Sequence, residues 1–175
     1  MGIKREVFFK VGGYSGMQVA EDIDLSMRLL KAGYKTALID KAFVYHRRKS
    51  SLYRFFRQLY FHGKGRIDLH LKHGNALKLV HMLPGFFVLY IILGIACLFV
   101  FLPLFYLFLI SLALYITMVF VDSMQQNKSI CVGILSIVTS LELLIAYGLG
   151  VWRNIFVRMV FKKGSDSRKE LVLKK

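Results

Sequence analysis

The chain has 175 residues, of which 56% are hydrophobic, and it carries a formal net charge of +15 at pH 7. Residues 1–80 contain sixteen basic and six acidic residues, residues 153–175 contain eight basic and two acidic residues, and residues 81–152 contain one Lys and two acids. This layout is typical of membrane spans flanked by Lys and Arg. It argues against a basic nucleic-acid-binding domain, which has no use for a long uncharged apolar centre.

A short helix followed by two glycines forms the first unit of the chain. Residues Arg5–Lys10 are predicted to make a helical turn that runs into Gly12 and Gly13. Paired glycines permit positive φ angles and a close approach of the backbone to another group. The pair is therefore either an ordinary turn or a loop leading to a site formed with Glu21 and Asp22.

Three acidic residues, Glu21, Asp22 and Asp24, open the next predicted helix. Leucines follow them at helical spacing, and Gly33 is a natural helix stop. Acidic residues in a first helical turn are stabilised by the partial positive charge of the free backbone N–H groups. From the local pattern, a well-capped surface helix and a cluster of catalytic carboxylates are equally good interpretations.

Two short strands are expected next, over residues 34–40 and 42–46, because both stretches are rich in residues that favour β-structure. His46 lies at the end of the second stretch. A lone His is more often structural than a metal ligand. However, a divalent cation needs ligands from separate elements, and a strand end holds a side chain in a fixed position.

Several short motifs in residues 1–66 occur in the order and spacing of a known family. This part of the chain resembles the C-terminal half of a family 2 glycosyltransferase catalytic domain, of the inverting GT-A type. The matching residues are Lys4–Phe8, Val11–Tyr14, Glu21–Leu25, Arg28, Gly33–Tyr34, Val44–His46, Phe56–Gln58, Gly63 and Gly65. The resemblance implies that residues 1–50 form a partial α/β GT-A fragment of mixed helices and short strands.

The resemblance also implies roles for individual residues. Asp22 matches the general base that deprotonates the acceptor hydroxyl, and Glu21 and Asp24 would position that base or the acceptor. A sugar hydroxyl is a poor nucleophile, so a carboxylate within hydrogen-bonding reach assists its attack on the anomeric carbon. The implied substrate-binding residues are Gly12, Gly13, Arg57 and Gln58, and the tentative metal-site residue is His46.

The nucleotide-binding half of the family's catalytic domain, with its Asp-rich metal motif, has no counterpart upstream of Glu21. The family implies a divalent cation, Mg or Mn, whose main ligands would lie outside this chain. We therefore expect a C-terminal fragment of a larger enzyme, or one piece of a split enzyme with a second polypeptide supplying the N-terminal half. Donor binding by this chain alone is not expected.

Residues 51–82 are predicted to form basic amphipathic helices. The apolar residues of the first helix fall at helical spacing, and Arg54, Arg57 and Gln58 occupy its other face. Basic residues and aromatics at helical spacing suit a helix at the headgroup level of an anionic leaflet. The alternative is a helix that packs on the catalytic domain by its apolar face.

Residues 83–152 are predicted to be a transmembrane region with spans at about 83–102, 103–121 and 130–152. Residues 83–121 contain no charged residue. A single helix of that length would measure about 58 Å against a hydrocarbon core of about 30 Å, so a break near Pro103 is expected. Glu142 lies inside the third stretch, and an intramembrane acid is either functional or bonded to Ser and Thr neighbours within the bundle.

Three spans would put the two basic ends of the chain, residues 1–80 and the tail 153–175, on opposite sides of the membrane. Basic segments favour the cytoplasmic side. Either one apolar stretch is re-entrant or interfacial, or the tail does not follow this rule.

Together with the apolar stretches, the resemblance implies a membrane-bound glycosyltransferase that acts at a bacterial inner membrane, with its catalytic part in the cytoplasm. Its expected substrates are a nucleotide-diphosphate sugar and a lipid-linked or cell-surface polysaccharide acceptor. One alternative is a non-catalytic membrane scaffold or partner subunit that keeps a degenerate transferase half. Another is a small polytopic protein whose basic part binds only anionic lipid.

Overall fold

The computed structural model describes residues 2–39, 41–45 and 51–161, with the backbone alone at residues 159–161. Within these ranges the regular structure is helical. A 3₁₀ turn at Leu79–His81 separates the third and fourth α-helices. The α-helices are α1 (Arg5–Lys10), α2 (Glu21–Lys31), α3 (Leu52–His73), α4 (Leu83–Val100), α5 (Leu102–Asn127) and α6 (Ile130–Phe161).

The expected α/β GT-A fragment with short strands is wrong for the described part of the chain. Neither residues 34–39 nor residues 41–45 form a strand there. A strand is stable only beside a neighbour that completes its backbone hydrogen bonds, and the described ranges offer no such neighbour. Side chains in these stretches are accordingly open to solvent, with Leu38 90%, Val44 89% and Tyr45 95% exposed.

The N-terminal fragment, which we define as residues 2–45 where described, has a very small apolar core. The core consists mainly of Leu25, which is fully buried, and Leu29, which is 4% exposed. Both side chains lie on one face of α2. Helix α1 buries none of its residues. Since so little apolar surface is removed from water, other interactions must hold this fragment together.

Helices α4, α5 and α6 are each long and apolar enough to cross a membrane. Many of their apolar side chains are exposed, including Phe99 at 82% and Ile110 at 64%. The break between α4 and α5 falls at Phe101, which is extended, and a Pro lies in the first turn of α5. Proline is tolerated in a first turn because no intrahelical N–H bond is lost there.

Helix α6 is packed tightly against α3 on one face and against α4 on another, and glycines make both contacts possible. A Cβ atom on Gly63 would lie 2.2 Å from the Tyr147 carbonyl oxygen, and one on Gly150 would lie 2.1 Å from the Tyr60 carbonyl oxygen. A Cβ on Gly148 would lie 2.3 Å from the Pro84 carbonyl oxygen. Small residues allow helix backbones to approach this closely.

Polar contacts continue the α3–α6 packing toward the end of α6. The Asn154 side chain donates a hydrogen bond to the Lys64 carbonyl oxygen at 2.8 Å. Arg158 forms an ion pair with Asp68 at 2.5 Å. The C-terminal third of α6 therefore lies along α3, a helix rich in basic residues, although α6 begins as an apolar helix.

Hydroxyl groups connect the apolar helices to one another. The Tyr90 hydroxyl lies 2.6 Å from Ser111 Oγ across α4 and α5, and Ser123 Oγ lies 2.6 Å from Ser136 Oγ across α5 and α6. Such bonds are typical of helix contacts in an apolar environment. The Oε2 atom of Glu142 is buried without a hydrogen bond from the described residues.

Candidate functional site

Asp24 is the centre of a buried hydrogen-bond cluster that joins α2 to the end of α3. The residue is fully buried. Its Oδ1 atom lies 2.7 Å from both Lys72 Nζ and His73 Nε2. Its Oδ2 atom accepts hydrogen bonds from Ser15 Oγ at 2.5 Å and from Arg28 Nε at 3.0 Å. Both carboxylate oxygens are therefore used in holding the protein together.

The surroundings of Asp24 favour its charged form. Burial by itself would raise the pKa of this carboxyl, but hydrogen bonds from Lys72, Ser15 and His73 oppose burial and hold the pKa well below its usual range. An ionised, fully engaged carboxylate is poorly placed to take a proton from a substrate. Its position suits a group that orients its neighbours.

Arg28 connects Asp24 to the loop at Gly12 and Gly13. The guanidinium donates hydrogen bonds to the Val11 carbonyl oxygen and, at 2.6 Å, to the Gly13 carbonyl oxygen. Gly12 and Gly13 have φ angles of 81° and 62°, in the left-handed region that favours glycine. The predicted substrate-binding loop is thus fixed to α2 through one arginine.

A polar pocket of about 410 Å³ lies beside this glycine loop. Its lining includes Gly12, Tyr14 and Ser15 from the loop, with Arg28 and Lys72 from the buried cluster. The pocket therefore presents backbone and hydroxyl groups next to two cations that already have a carboxylate partner in Asp24.

Asp22 has surroundings opposite to those of Asp24, although the two lie two positions apart. Asp22 and Glu21 are both exposed in the first turn of α2. Asp22 Oδ1 accepts a hydrogen bond from the Ile23 backbone N–H at 2.9 Å. Its second oxygen is thus left for another partner. The general-base candidate is accessible, whereas its neighbour Asp24 is buried.

Asp22 lines a cavity of about 450 Å³, here called the junction cavity, where α2, α3, the 3₁₀ turn, α4 and α6 meet. The polar and ionisable members of its wall are Asp22, His62, Arg66, His81 and Tyr147. The apolar members are Val19, Ala20, Ile23, Leu59, Val80, Pro84 and Leu143. The cavity therefore places the exposed carboxylate beside the start of α4 and the middle of α6, which are both candidate membrane helices.

The junction cavity is also lined by the cation Arg66 and by the imidazole rings of His62 and His81. Arg66 lies close enough to the Tyr147 hydroxyl to interact with it. Burial, together with the positive charges of Arg66 and Lys78, holds the pKa of His81 below its ordinary value. The Lys78 backbone N–H donates a hydrogen bond to His81 Nδ1 at 3.1 Å, so the neutral ring carries its proton on Nε2.

The remaining predicted site residues do not gather at this cavity. Arg57 and Gln58 are exposed on α3 and are not part of the cavity wall, and the Arg57 guanidinium lies 5.9 Å from the centre of the Phe61 ring. His46 lies outside the described residues. In the part of the chain that is described, three or more His, Cys, Asp or Glu side chains do not come together as a metal site.

Sequence patterns assign no role to several residues of the site, including Lys72 and His73 at Asp24 and Arg66 and His81 in the junction cavity. Lys72 and His73 lie about fifty positions from Asp24, so no local spacing links them. The available signal is the basic end of the amphipathic helix, which places cations where a helix C-terminus favours them. That signal does not identify their carboxylate partner.

Comparisons with known proteins identify the family of the chain. The model of the family described as "Glycosyl transferase family group 2" matches residues 1–124, which extend from α1 into α5. The chain is similar to the succinoglycan biosynthesis protein ExoA of Rhizobium meliloti (strain 1021), with 38% identity over 80 residues. That match covers 45% of this chain and 24% of the relative's length. No solved structure matches the chain significantly. Because the family model covers more than half of the residues, the chain belongs to glycosyl transferase family group 2.

Proposed function

We propose that this chain forms the acceptor side of a membrane-bound glycosyltransferase. The enzyme transfers a sugar from a nucleotide-diphosphate donor to a lipid-linked or cell-surface polysaccharide acceptor. Family membership supports the reaction class. The similarity to a succinoglycan biosynthesis protein supports an acceptor of the polysaccharide type.

The observation that carries this proposal is the position of Asp22. The carboxylate is exposed and lines the junction cavity, whose lining also includes Pro84 of α4 and Leu143 of α6. Both helices are long and apolar enough to cross a membrane. An acceptor attached to a lipid would therefore reach Asp22 from the membrane side.

The reaction assigned to Asp22 is general-base catalysis. The acceptor hydroxyl oxygen forms a bond to the anomeric carbon, and its proton passes to the Asp22 carboxylate. The bond between the anomeric carbon and the diphosphate oxygen breaks, and its electron pair leaves with the nucleoside diphosphate. A positioned carboxylate contributes about a hundredfold or more to such a proton transfer.

Asp24 is assigned a positioning role, since both its oxygens are engaged within the protein. Through Arg28 it holds the loop at Gly12 and Gly13, which we assign to substrate binding. Glu21 lies beside Asp22 on the exposed side of α2 and is assigned to orienting the acceptor. The nucleotide and the divalent cation that the family implies are proposed to be bound mainly by residues outside this chain.

The strongly basic residues 1–80, which precede the apolar helices, support placement of the N-terminal fragment on the cytoplasmic side of a bacterial inner membrane. Nucleotide sugars are made in that compartment. This orientation would bring the donor to the same side of the membrane as Asp22.

The variant Asp22→Asn tests the assigned base in the complete enzyme. It keeps the shape and hydrogen-bonding capacity of the side chain but removes its ability to take up a proton. Turnover should fall by about a hundredfold or more while donor affinity stays unchanged. The measurement is transfer of radiolabelled sugar to the lipid fraction of membranes, with donor binding followed separately.

Glu6→Gln is the matched control, because Glu6 is an exposed carboxylate in the first turn of α1 and lies outside the junction cavity. It should leave turnover unchanged. Undiminished transfer by Asp22→Asn would show that another group is the base.

A further inference from the structure

The junction cavity contains a cation, Arg66, that interacts with the Tyr147 hydroxyl but has no anionic partner among the described residues. Among the described residues, Arg28 and Lys72 pair with Asp24, and Arg158 pairs with Asp68. None of the ion pairs among the described residues involves Arg66, although this side chain is partly buried. A partly buried guanidinium is costly to hold without an anion beside it.

Other nitrogen donors that line the same cavity complete a site for an anion. His62 lies on the same face of α3 as Arg66, one helical turn earlier, and His81 belongs to the 3₁₀ turn. Because His81 Nδ1 accepts a backbone hydrogen bond, the donor that its neutral ring offers is Nε2–H. Arg66 and His81 together can therefore donate several hydrogen bonds to one group of oxygen atoms, which is the recognition chemistry of phosphate.

The apolar part of the cavity wall indicates where the rest of the ligand lies. Val80 is 59% exposed, and Pro84 and Leu143 belong to the candidate membrane helices α4 and α6. A ligand with an anionic head and an apolar chain could place the head at Arg66 and the chain along these helices. A free anion would leave the apolar wall without a partner.

We propose that the junction cavity binds the phosphate group of a lipid, with Arg66 and His81 donating to the phosphate oxygens. We assign this lipid as the anchor of the acceptor, whose sugar end is presented to Asp22. This assignment rests on the proposed function, whereas the binding of a lipid phosphate does not. Asp22 and the nitrogen donors Arg66 and His81 thus serve catalysis and anchoring within one cavity.

Binding of dodecyl phosphate to the purified full chain in uncharged detergent tests this proposal without requiring transfer. The probe combines a phosphate monoester with an apolar chain. Loss of a charge-assisted hydrogen-bond donor costs about 2 kcal/mol, so Arg66→Gln should weaken binding by about thirtyfold. His81→Gln is a second variant and should weaken binding by about tenfold.

Arg54→Gln is the matched control. Arg54 is an exposed arginine on the same helix, outside the cavity, and its replacement removes the same charge. Its affinity for dodecyl phosphate should stay unchanged. Equal weakening by Arg54→Gln and Arg66→Gln would show that the basic surface of α3 attracts the probe, and would overturn the proposal. Normal binding by Arg66→Gln would also overturn the proposal. If Arg66→Gln does not fold, normal binding by His81→Gln would overturn it instead.

Two further measurements separate the possible sources of the phosphate and the two proposals. Inorganic phosphate should bind far more weakly than dodecyl phosphate; equal affinities would make this a free-anion site and refute the lipid assignment. Asp22→Asn should bind dodecyl phosphate at least as well as the unaltered chain, because it removes a negative charge from the cavity. A failure to bind dodecyl phosphate would therefore not affect the test of Asp22 as the base. Normal sugar transfer by Asp22→Asn would likewise not affect the test of phosphate binding.

Discussion

The N-terminal fragment and the helical bundle of α3–α6 are held together by different forces. The fragment has a small apolar core and depends on one buried carboxylate, Asp24, with Arg28, Lys72 and His73 around it. The bundle depends on close backbone approach at glycines such as Gly63 and Gly150. The fragment should therefore respond to loss of charge and to acid, whereas the bundle should respond to added volume.

Removal of the charge on Asp24 should produce the largest loss of stability. Asp24→Asn leaves Arg28 and Lys72 without their carboxylate, and breaking a buried ion pair in this way costs about 3 kcal/mol. Thermal unfolding of the detergent-solubilised full chain measures the effect. Asp22→Asn is the control on the same helix, and since Asp22 is exposed its unfolding temperature should match that of the unaltered chain.

Added volume at the α3–α6 contact should destabilise the bundle by about 2 kcal/mol. In Gly150→Ala the new Cβ atom would lie 2.1 Å from the Tyr60 carbonyl oxygen, so the two helix backbones must move apart. Gly85→Ala is the control, because its Cβ atom would meet the Trp152 side chain at 3.3 Å, where a small shift suffices. The measurement is the thermal unfolding temperature of each variant. If Gly85→Ala unfolded at the same temperature as Gly150→Ala, or at a lower one, the assigned contact would be contradicted.

Acid should weaken the fragment through Asp24. A carboxyl whose pKa is lowered on folding stabilises the folded state above its ordinary value of 3.8, and this contribution is lost as the pH falls toward the folded pKa. Between pH 7 and pH 3 the free energy of unfolding should fall by about 1 kcal/mol from this group. The Asp24→Asn variant should lack that part of the pH dependence; an identical slope in both proteins would assign it to other groups.

Helices were predictable from the sequence where a local pattern determines them. The periodic leucines after Glu21 and the uncharged stretch interrupted by Pro103 correspond to α2 and to α4 and α5. Residues 34–39 and 41–45 show the opposite case, because their β-forming composition needs a neighbouring strand that the described ranges do not contain. Strand propensity alone does not determine a strand.

The candidate site was predictable only in part, for the same reason. Asp22 could be proposed because its motif is local. The role of Asp24 depends on Lys72 and His73, which reach it only after α3 has docked on the fragment. Arg66 and His81 meet Asp22 at one cavity only when α3 and the 3₁₀ turn are in place. Contacts between distant parts of a chain leave no spacing signal in a single sequence.

The most direct test of the account compares Asp22→Asn and Asp24→Asn for both stability and single-turnover sugar transfer in the complete enzyme. The account predicts that Asp22→Asn unfolds at the normal temperature but transfers sugar about a hundredfold more slowly or worse. Asp24→Asn should lose stability, and at a temperature where it remains folded it should keep more activity than Asp22→Asn. Normal transfer by Asp22→Asn, or a loss of stability equal to that of Asp24→Asn, would contradict the separation of the catalytic from the structural carboxylate.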